Sequence, residues 1–249
     1  MLTAAPQVYV GVSTSAGPHV TPELFTISGD RIVCLTAAST LKARITRNRP
    51  QVAVAARSSS GVVSAVGNAE LFDPADPGTA IDAPRTMATS PVDVARFVRD
   101  NAAELTGAMR DAVTGRLGVP PEHRVVLSIR VDDAAVEDQV SSDVVLGWTR
   151  EGDGAPLALP ATLVGDDQVT VSSALFEAMR AASSSSACVT SDAWTGLGPL
   201  GKEGAMRRGS GVAERDGASV RVTLSIDRTI EWDGLDVRST TNCEGTPGP

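Results

Sequence analysis

Residues 17–54 read GPHVTPELFTISGDRIVCLTAASTLKARITRNRPQVAV, and this stretch decides the fold. Its first half consists of extended, β-branched segments on either side of a turn at Gly29, which is typical of antiparallel strands. A short helix should follow, with Ser39 or Thr40 as its N-cap and Pro50 ending it, before the chain returns to a buried strand. The pattern predicts a mainly β domain in which one short helix interrupts an antiparallel sheet.

The second part of the chain repeats this pattern. The hairpin around Pro18–Pro22 is echoed by Pro156–Pro160, and in each case an apolar run and a Gly-Asp turn follow. A glycine surrounded by small residues, in SAVGNAE at Gly67 and in RRGSGVAE at Gly209, suits a β-bulge or close strand packing. Echoes that recur in the same order indicate two halves of like fold.

The repeat divides the chain into two predicted domains and a tail. We expect the first domain at residues 1–140 and the second at 141–240, with a disordered tail at 241–249. An apolar pattern at steps of three or four predicts a helical insertion at about 90–117, in the first domain only, beginning near Ser90-Pro91.

Composition excludes several classes of function. The formal charge of -8 disfavours nucleic acid and anionic membranes as partners, and one Tyr with four Phe leaves few rings to stack on bases. Apolar runs stay short of the roughly 20 residues that a membrane span needs. The first residues do not resemble a secretory signal, so we expect a cytoplasmic protein that acts on a small-molecule substrate.

Cysteine and histidine are too sparse and too scattered for a metal site. Cys34, Cys188 and Cys243 lie far apart, and we expect plain thiols. The only histidines are His19 and His123, which suit structural positions better than catalytic ones, so no metal is predicted and the catalytic residues stay unknown.

The segment between the third strand and the short helix is suited to binding phosphate. Thr36, Ser39 and Thr40 offer hydroxyl donors close to the start of a helix, where free N–H groups point outward. Lys42 falls in the first turn, where a lysine is unfavourable unless it meets an anion, and Arg44 could assist it. The alternative is that Lys42 and Arg44 belong to an ordinary solvated helix face.

Together with the later GNAEL, the motifs GPHVTP, SGDRIV and TAASTLKARITRNRPQVAV in residues 8–72 resemble the pyridoxamine 5'-phosphate oxidase-like split β-barrel superfamily, which binds FMN or F420. The resemblance implies a tandem split β-barrel, that is, a pseudo-dimer of antiparallel Greek-key-like barrels. It implies an FMN-dependent oxidoreductase that transfers hydride, with F420 as the alternative cofactor. The cofactor phosphate would lie on Thr36, Thr40 and Lys42, and the ring beside the backbone of Val20, Thr21 and Pro22.

Departures from the family pattern limit this inference. Pyridoxamine-phosphate oxidases carry Arg and Lys where this chain has Val20 and Phe25, and Arg where it has Leu41, so the substrate does not carry over. A barrel that binds flavin or haem without catalysis therefore stays an alternative, and the fused chain could be a monomer or a homodimer.

The second half lacks the lysine. Phe176 or Glu177 stands at the corresponding position, and a carboxylate there would repel phosphate, which predicts one cofactor per chain. Trp194, Lys202 and Arg207 are candidates for the opposite wall of that single site.

Overall fold

The computed structural model describes residues 5–103, 105–106, 123–138, 142–193, 203–233 and 236–241. Within this part of the chain the strands of the first half are β1 (Val8–Thr14), β2 (Gly17–Glu23), β3 (Phe25–Ser28), β4 (Arg31–Ala37), β5 (Gln51–Ser58), β6 (Gly61–Phe72) and β7 (Arg124–Asp138). The strands that follow are β8 (Val144–Thr149), β9 (Pro156–Leu163), β10 (Gln168–Ser172), β11 (Ser184–Ala193), β12 (Glu203–Asp216), β13 (Ser219–Asp233) and β14 (Asp236–Thr241). The helices are α1 (Leu41–Thr46), α2 (Pro77–Asp82), α3 (Pro84–Asp100) and α4 (Ser173–Ala178).

The strands form two seven-stranded antiparallel sheets. The first has the order β2-β1-β5-β6-β7-β4-β3, and its two edge strands are consecutive in the chain, separated only by Leu24. The second has the order β10-β9-β8-β11-β12-β13-β14, and an additional pairing of β10 with β13 closes six of its strands into a barrel. The predicted fold class, mainly β with antiparallel barrels in tandem, is confirmed.

Both sheets contain a bulge at the same point of their topology. The register shifts between Val66 and Gly67 in β6 and between Arg208 and Gly209 in β12. A Cβ atom at either glycine would collide with a carbonyl oxygen of the neighbouring strand, so only glycine fits there. The prediction of a bulge or close strand packing at these glycines is confirmed. The residue before the glycine is Val66 in the first sheet and Arg208 in the second.

The two halves share a buried seam as well as having their own cores. In β1, Val8, Val10 and Val12 point into the core of the first half, whereas Tyr9 points into a third cluster, which contains residues of both halves. This alternation follows from the two-residue period of a strand. Gly11 lies on the Tyr9 side, where it leaves space for the second half to approach.

The helical insertion begins earlier than predicted. Helix α3 starts at Pro84, and Pro91, which we expected near the helix start, lies inside it. Proline has no N–H to donate to the carbonyl four residues earlier, but the Ser90 hydroxyl donates to that Met87 carbonyl over 2.9 Å. This substitute bond explains how the helix tolerates the proline. The predicted remainder at 107–117 lies outside the described residues.

Strands of the first sheet end at Asp138 and those of the second begin at Val144. The domain limits of 1–140 and 141–240 stay a prediction because residues 139–141 lie outside the described part, as do residues 242–249 of the predicted tail. No described helix is both long and apolar enough to cross a membrane.

Candidate functional site

The structure brings Thr36 and Thr40 together at the start of α1. Thr40 is the N-cap, as one of the two predicted alternatives, and its hydroxyl oxygen accepts from the Ala43 amide over 3.3 Å. The same hydroxyl donates to the Ala37 carbonyl over 2.9 Å and lies 3.3 Å from the Thr36 hydroxyl, and either hydroxyl can be the donor of that contact. Both hydroxyl groups thus have partners within the protein, and their binding of a phosphate stays a prediction.

Lys42 is buried and already has a counter-ion. It is 2% exposed, and its ammonium group donates to the carboxylate of Glu23 at the end of β2. The expectation that a lysine in this first turn needs an anion agrees with this pair, but the anion belongs to the protein. An ammonium group has three donors and Glu23 accepts one, so capacity remains for a second acceptor.

Ser39 and Arg44 occupy exposed positions, unlike the buried Lys42. Arg44 follows Lys42 by two positions, and residues so spaced leave a helix on different sides. The structure therefore does not bring the Arg44 guanidinium to the ammonium group of Lys42, and Arg44 corresponds to the solvated alternative.

The predicted ring-binding strand β2 lies at the seam. Val20 is fully buried, and its carbonyl accepts a hydrogen bond of 2.7 Å from the Thr190 hydroxyl of β11. Thr21 and Pro22 are half-buried and pair with Val10 and Tyr9 of β1. At Val20 the second half thus covers the strand, whereas Thr21 and Pro22 are still partly exposed to solvent.

An arginine from the second half reaches this strand. Arg208 of β12 is 8% exposed, and its Nη2 donates over 3.0 to 3.3 Å to the Thr14 hydroxyl and to backbone carbonyls of the β1–β2 turn. Arg207, the predicted wall residue, instead donates from Nη1 to the Asp166 carbonyl over 2.6 Å. Consecutive residues of a strand point to opposite faces, so the sequence indicates that one of the two arginines faces the first half. It does not show which of the two does so. Trp194 and Lys202 lie outside the described residues.

Two buried cations, Lys42 and Arg208, act on His19. Burial first, and then these positive charges, lower the pKa of His19 to about 4. The imidazole is therefore neutral near pH 7. Its Nδ1 is buried and has no hydrogen-bond partner among the described residues. Lys42 of α1 and Arg208 of β12 thus both act on this histidine of β2, and of the two only Lys42 pairs with a described carboxylate, that of Glu23.

A groove of 620 Å³ runs beside α1, and sequence reasoning missed it. Its lining includes Ser39, Arg47, Asp73 and His123. Asp73 accepts from Arg47 over 2.7 Å and lies 3.3 Å from the His123 Nε2. Burial alone would raise the Asp73 pKa, but hydrogen bonds to its carboxylate and the nearby cations hold it below its ordinary value. The groove carries a paired carboxylate, and no described cluster of His, Cys, Asp and Glu could hold a metal ion.

In the second half, the corresponding helix α4 presents no cation. Phe176 is buried in the core of that half, and Glu177 is exposed and forms an ion pair with Arg215. That this helix does not bind phosphate stays a prediction.

No family model matches the chain, and no curated protein matches it. Among solved structures, a protein of unknown function from Agrobacterium tumefaciens is 16% identical with a TM-score of 0.38, over 55% of this chain and 52% of that one. An FAD-binding protein from Mesorhizobium loti is 14% identical with a TM-score of 0.36, over 56% of this chain and 90% of its own. An F420 reductase is 16% identical with a TM-score of 0.31, over 54% and 93%. An FAD-binding protein and an F420 reductase are thus among the solved structures to which about half of this chain is similar.

Proposed function

We propose that the protein binds one flavin-type cofactor per chain at the seam beside α1 and uses it to transfer hydride to or from a small molecule. The observation that carries this proposal is that two buried cations, Lys42 and Arg208, both act on His19 of β2, while among the described residues only Lys42 pairs with a carboxylate, in a chain whose net charge is -8. FMN is the first candidate and F420 the second.

The chain's own residues would bind and orient the cofactor. Lys42 has donors left for a phosphate oxygen, and the half-buried backbone of Thr21 and Pro22 offers a strand edge for the ring. When bound, the flavin supplies the redox chemistry, and the protein supplies position and electrostatics. Thr36 and Thr40 shape the start of α1, where their hydroxyl groups bond each other and the backbone, and a bond from either to the phosphate stays a prediction.

A barrel without redox activity is the second candidate. The specific observation in its favour is the Lys42–Glu23 ion pair, because Glu23 already uses part of the hydrogen-bonding capacity of Lys42, the predicted phosphate-binding residue. The cytoplasmic location and the choice between monomer and homodimer stay predictions.

The visible absorption spectrum of the purified protein, followed by titration with FMN and with F420, tests the proposal. Loss of a charge-assisted hydrogen bond should weaken binding by about 10- to 100-fold in Lys42→Met. That change leaves the half-buried Glu23 without its cation. The double variant Glu23→Gln with Lys42→Met is therefore measured as well. Arg44→Met, on the exposed side of the same helix, is the matched control and should bind like the wild type.

A wild-type protein that takes up neither FMN nor F420 would refute the proposal. Binding without turnover of any electron donor or acceptor would favour the second candidate. Equal binding by the wild type and the double variant would remove Lys42 from the site.

A further inference from the structure

Arg208 is a buried cation with no counter-ion in the part of the chain that the structure describes. No carboxylate among the described residues pairs with it, and its recorded partners are all neutral oxygens of the first half. Those bonds all come from one nitrogen, Nη2, whereas Nε is buried and has no partner. A buried charge normally has a partner of opposite sign, because leaving it unpaired is costly.

A second nitrogen, on the strand that Arg208 contacts, also lacks a partner among the described residues. His19 follows Pro18, whose carbonyl accepts from Arg208 over 3.3 Å, and the His19 Nδ1 is buried and unpartnered within the described part of the chain. The positive charge of Arg208 acts on His19 strongly enough to be one of the causes that lower its pKa. Buried polar atoms without partners are rare, and each one calls for an explanation such as a bound ligand or water.

An anion with more than one acceptor atom would bond both nitrogens and would also balance the charge of Arg208. Glu23 balances Lys42, which leaves the charge of Arg208 uncompensated. An oxyanion would supply that negative charge, and its oxygens could accept from the Arg208 Nε and from a protonated His19 Nδ1. Arginine binds carboxylate and phosphate groups particularly well because its donors form a rigid fork.

We propose that Arg208 of the second half and His19 of the first form a binding site for an oxyanion at the seam, so that the ligand carries a phosphate or a carboxylate group there. The inference rests on the proposed function in one respect, since it concerns the same region. It adds that the second half recognises the anion through Arg208, whose equivalent at the bulge of the first half is Val66.

Thermal unfolding with inorganic phosphate as the probe tests the site. At constant ionic strength, replacing chloride by about 20 mM phosphate should raise the Tm of the wild type by a few degrees, since a ligand that binds only the folded state stabilises it. Arg208→Gln should lose this rise. Arg207→Gln, the neighbour on the other face of β12, is the matched control and should keep it.

The titration of His19 gives a second readout that needs no variant at Arg208. An anion at this site should raise the His19 pKa from about 4, as measured by NMR, because it stabilises the protonated imidazole against the charges of Lys42 and Arg208. Glu23 pairs with Lys42 in the same region. An unchanged His19 pKa together with equal Tm values in phosphate and chloride would overturn the inference, and would show that a water satisfies both nitrogens.

Titration with FMN and with riboflavin, which lacks the phosphate, separates this inference from the proposed function. If the wild type responds to phosphate but binds no flavin, the oxyanion site stands and the cofactor proposal fails. If Arg208→Gln loses the phosphate response and the preference for FMN over riboflavin, the oxyanion is the cofactor's phosphate. If it loses only the phosphate response, the oxyanion belongs to the substrate. Flavin uptake without any phosphate response in the wild type would overturn the oxyanion site alone.

Discussion

Acidification should destabilise the protein through His19, and replacing this residue by glutamine should remove the effect. The folded-state pKa of His19 is lowered to about 4 from the ordinary 6.5, first by burial and then by the charges of Lys42 and Arg208. The unfolded chain therefore binds a proton at a higher pH than the folded one. Stability is complete above the unfolded value and falls as the pH drops through 6.5, until the folded imidazole also protonates near pH 4.

The magnitude follows from these two pKa values. Between pH 7 and pH 5 the free energy of unfolding should fall by about 2 kcal/mol through His19 alone, and by at most about 3 kcal/mol when the pH reaches 4. The described carboxyl groups with lowered pKa values, those of Glu70, Asp73, Asp100 and Asp153, titrate below pH 5 and contribute little to the difference between pH 7 and pH 5.

Urea unfolding at pH 7 and pH 5, in chloride buffer free of phosphate and sulfate, measures the effect. His19→Gln should lose about 2 kcal/mol less than the wild type between the two pH values. His123→Gln is the control, because the side chain of this second histidine is 56% exposed. Equal losses in the wild type and His19→Gln would refute the reasoning, since they would mean that burial and the charges of Lys42 and Arg208 do not lower the pKa of His19.

Three further predictions concern packing and reactivity. Gly67→Ala forces a Cβ atom onto the Arg130 carbonyl oxygen and should cost at least about 2 kcal/mol in urea unfolding, whereas Gly165→Ala, with open space around it, should stay within about 0.5 kcal/mol. Asp192→Asn removes a fully buried carboxylate that pairs with a partly buried guanidinium across the seam, and should cost about 3 kcal/mol in the same assay. Burial raises the pKa of the Cys188 thiol to about 11, so at pH 8 iodoacetamide should label it at least about 100-fold more slowly in the native protein than in urea, as measured by mass spectrometry.

Much of the fold could be predicted because it depends on local signals. Two-residue alternation in β1 indicates a strand whichever face meets a core, and the glycines at 67 and 209 mark positions where a side chain has no room. The predicted start of α3 was wrong because the serine before Pro91 can play either of two structural roles. A serine before a proline is typical of a helix start, but here its hydroxyl replaces the bond that the proline cannot make.

The site was harder to predict because its contacts link distant parts of the chain. Composition and spacing mark Lys42 as a residue that needs an anion, but they do not show that Glu23, on another strand, provides one. Arg208 contacts Thr14, which lies 194 residues away, and only the packing of the two halves determines which of two consecutive arginines crosses between them. The groove at Asp73 and His123 likewise joins segments fifty positions apart.

The two matched bulges have a consequence for symmetry. In a dimer of identical chains every position occurs twice, so an arginine suited to one side of the interface must also be accommodated on the other. Here the equivalent positions are Val66 and Arg208, because the two barrels belong to one polypeptide. A valine can complete a dry core on one side while a guanidinium crosses the seam on the other. Covalent fusion thus permits a specialised pair of unlike interfaces that a symmetric assembly could not encode.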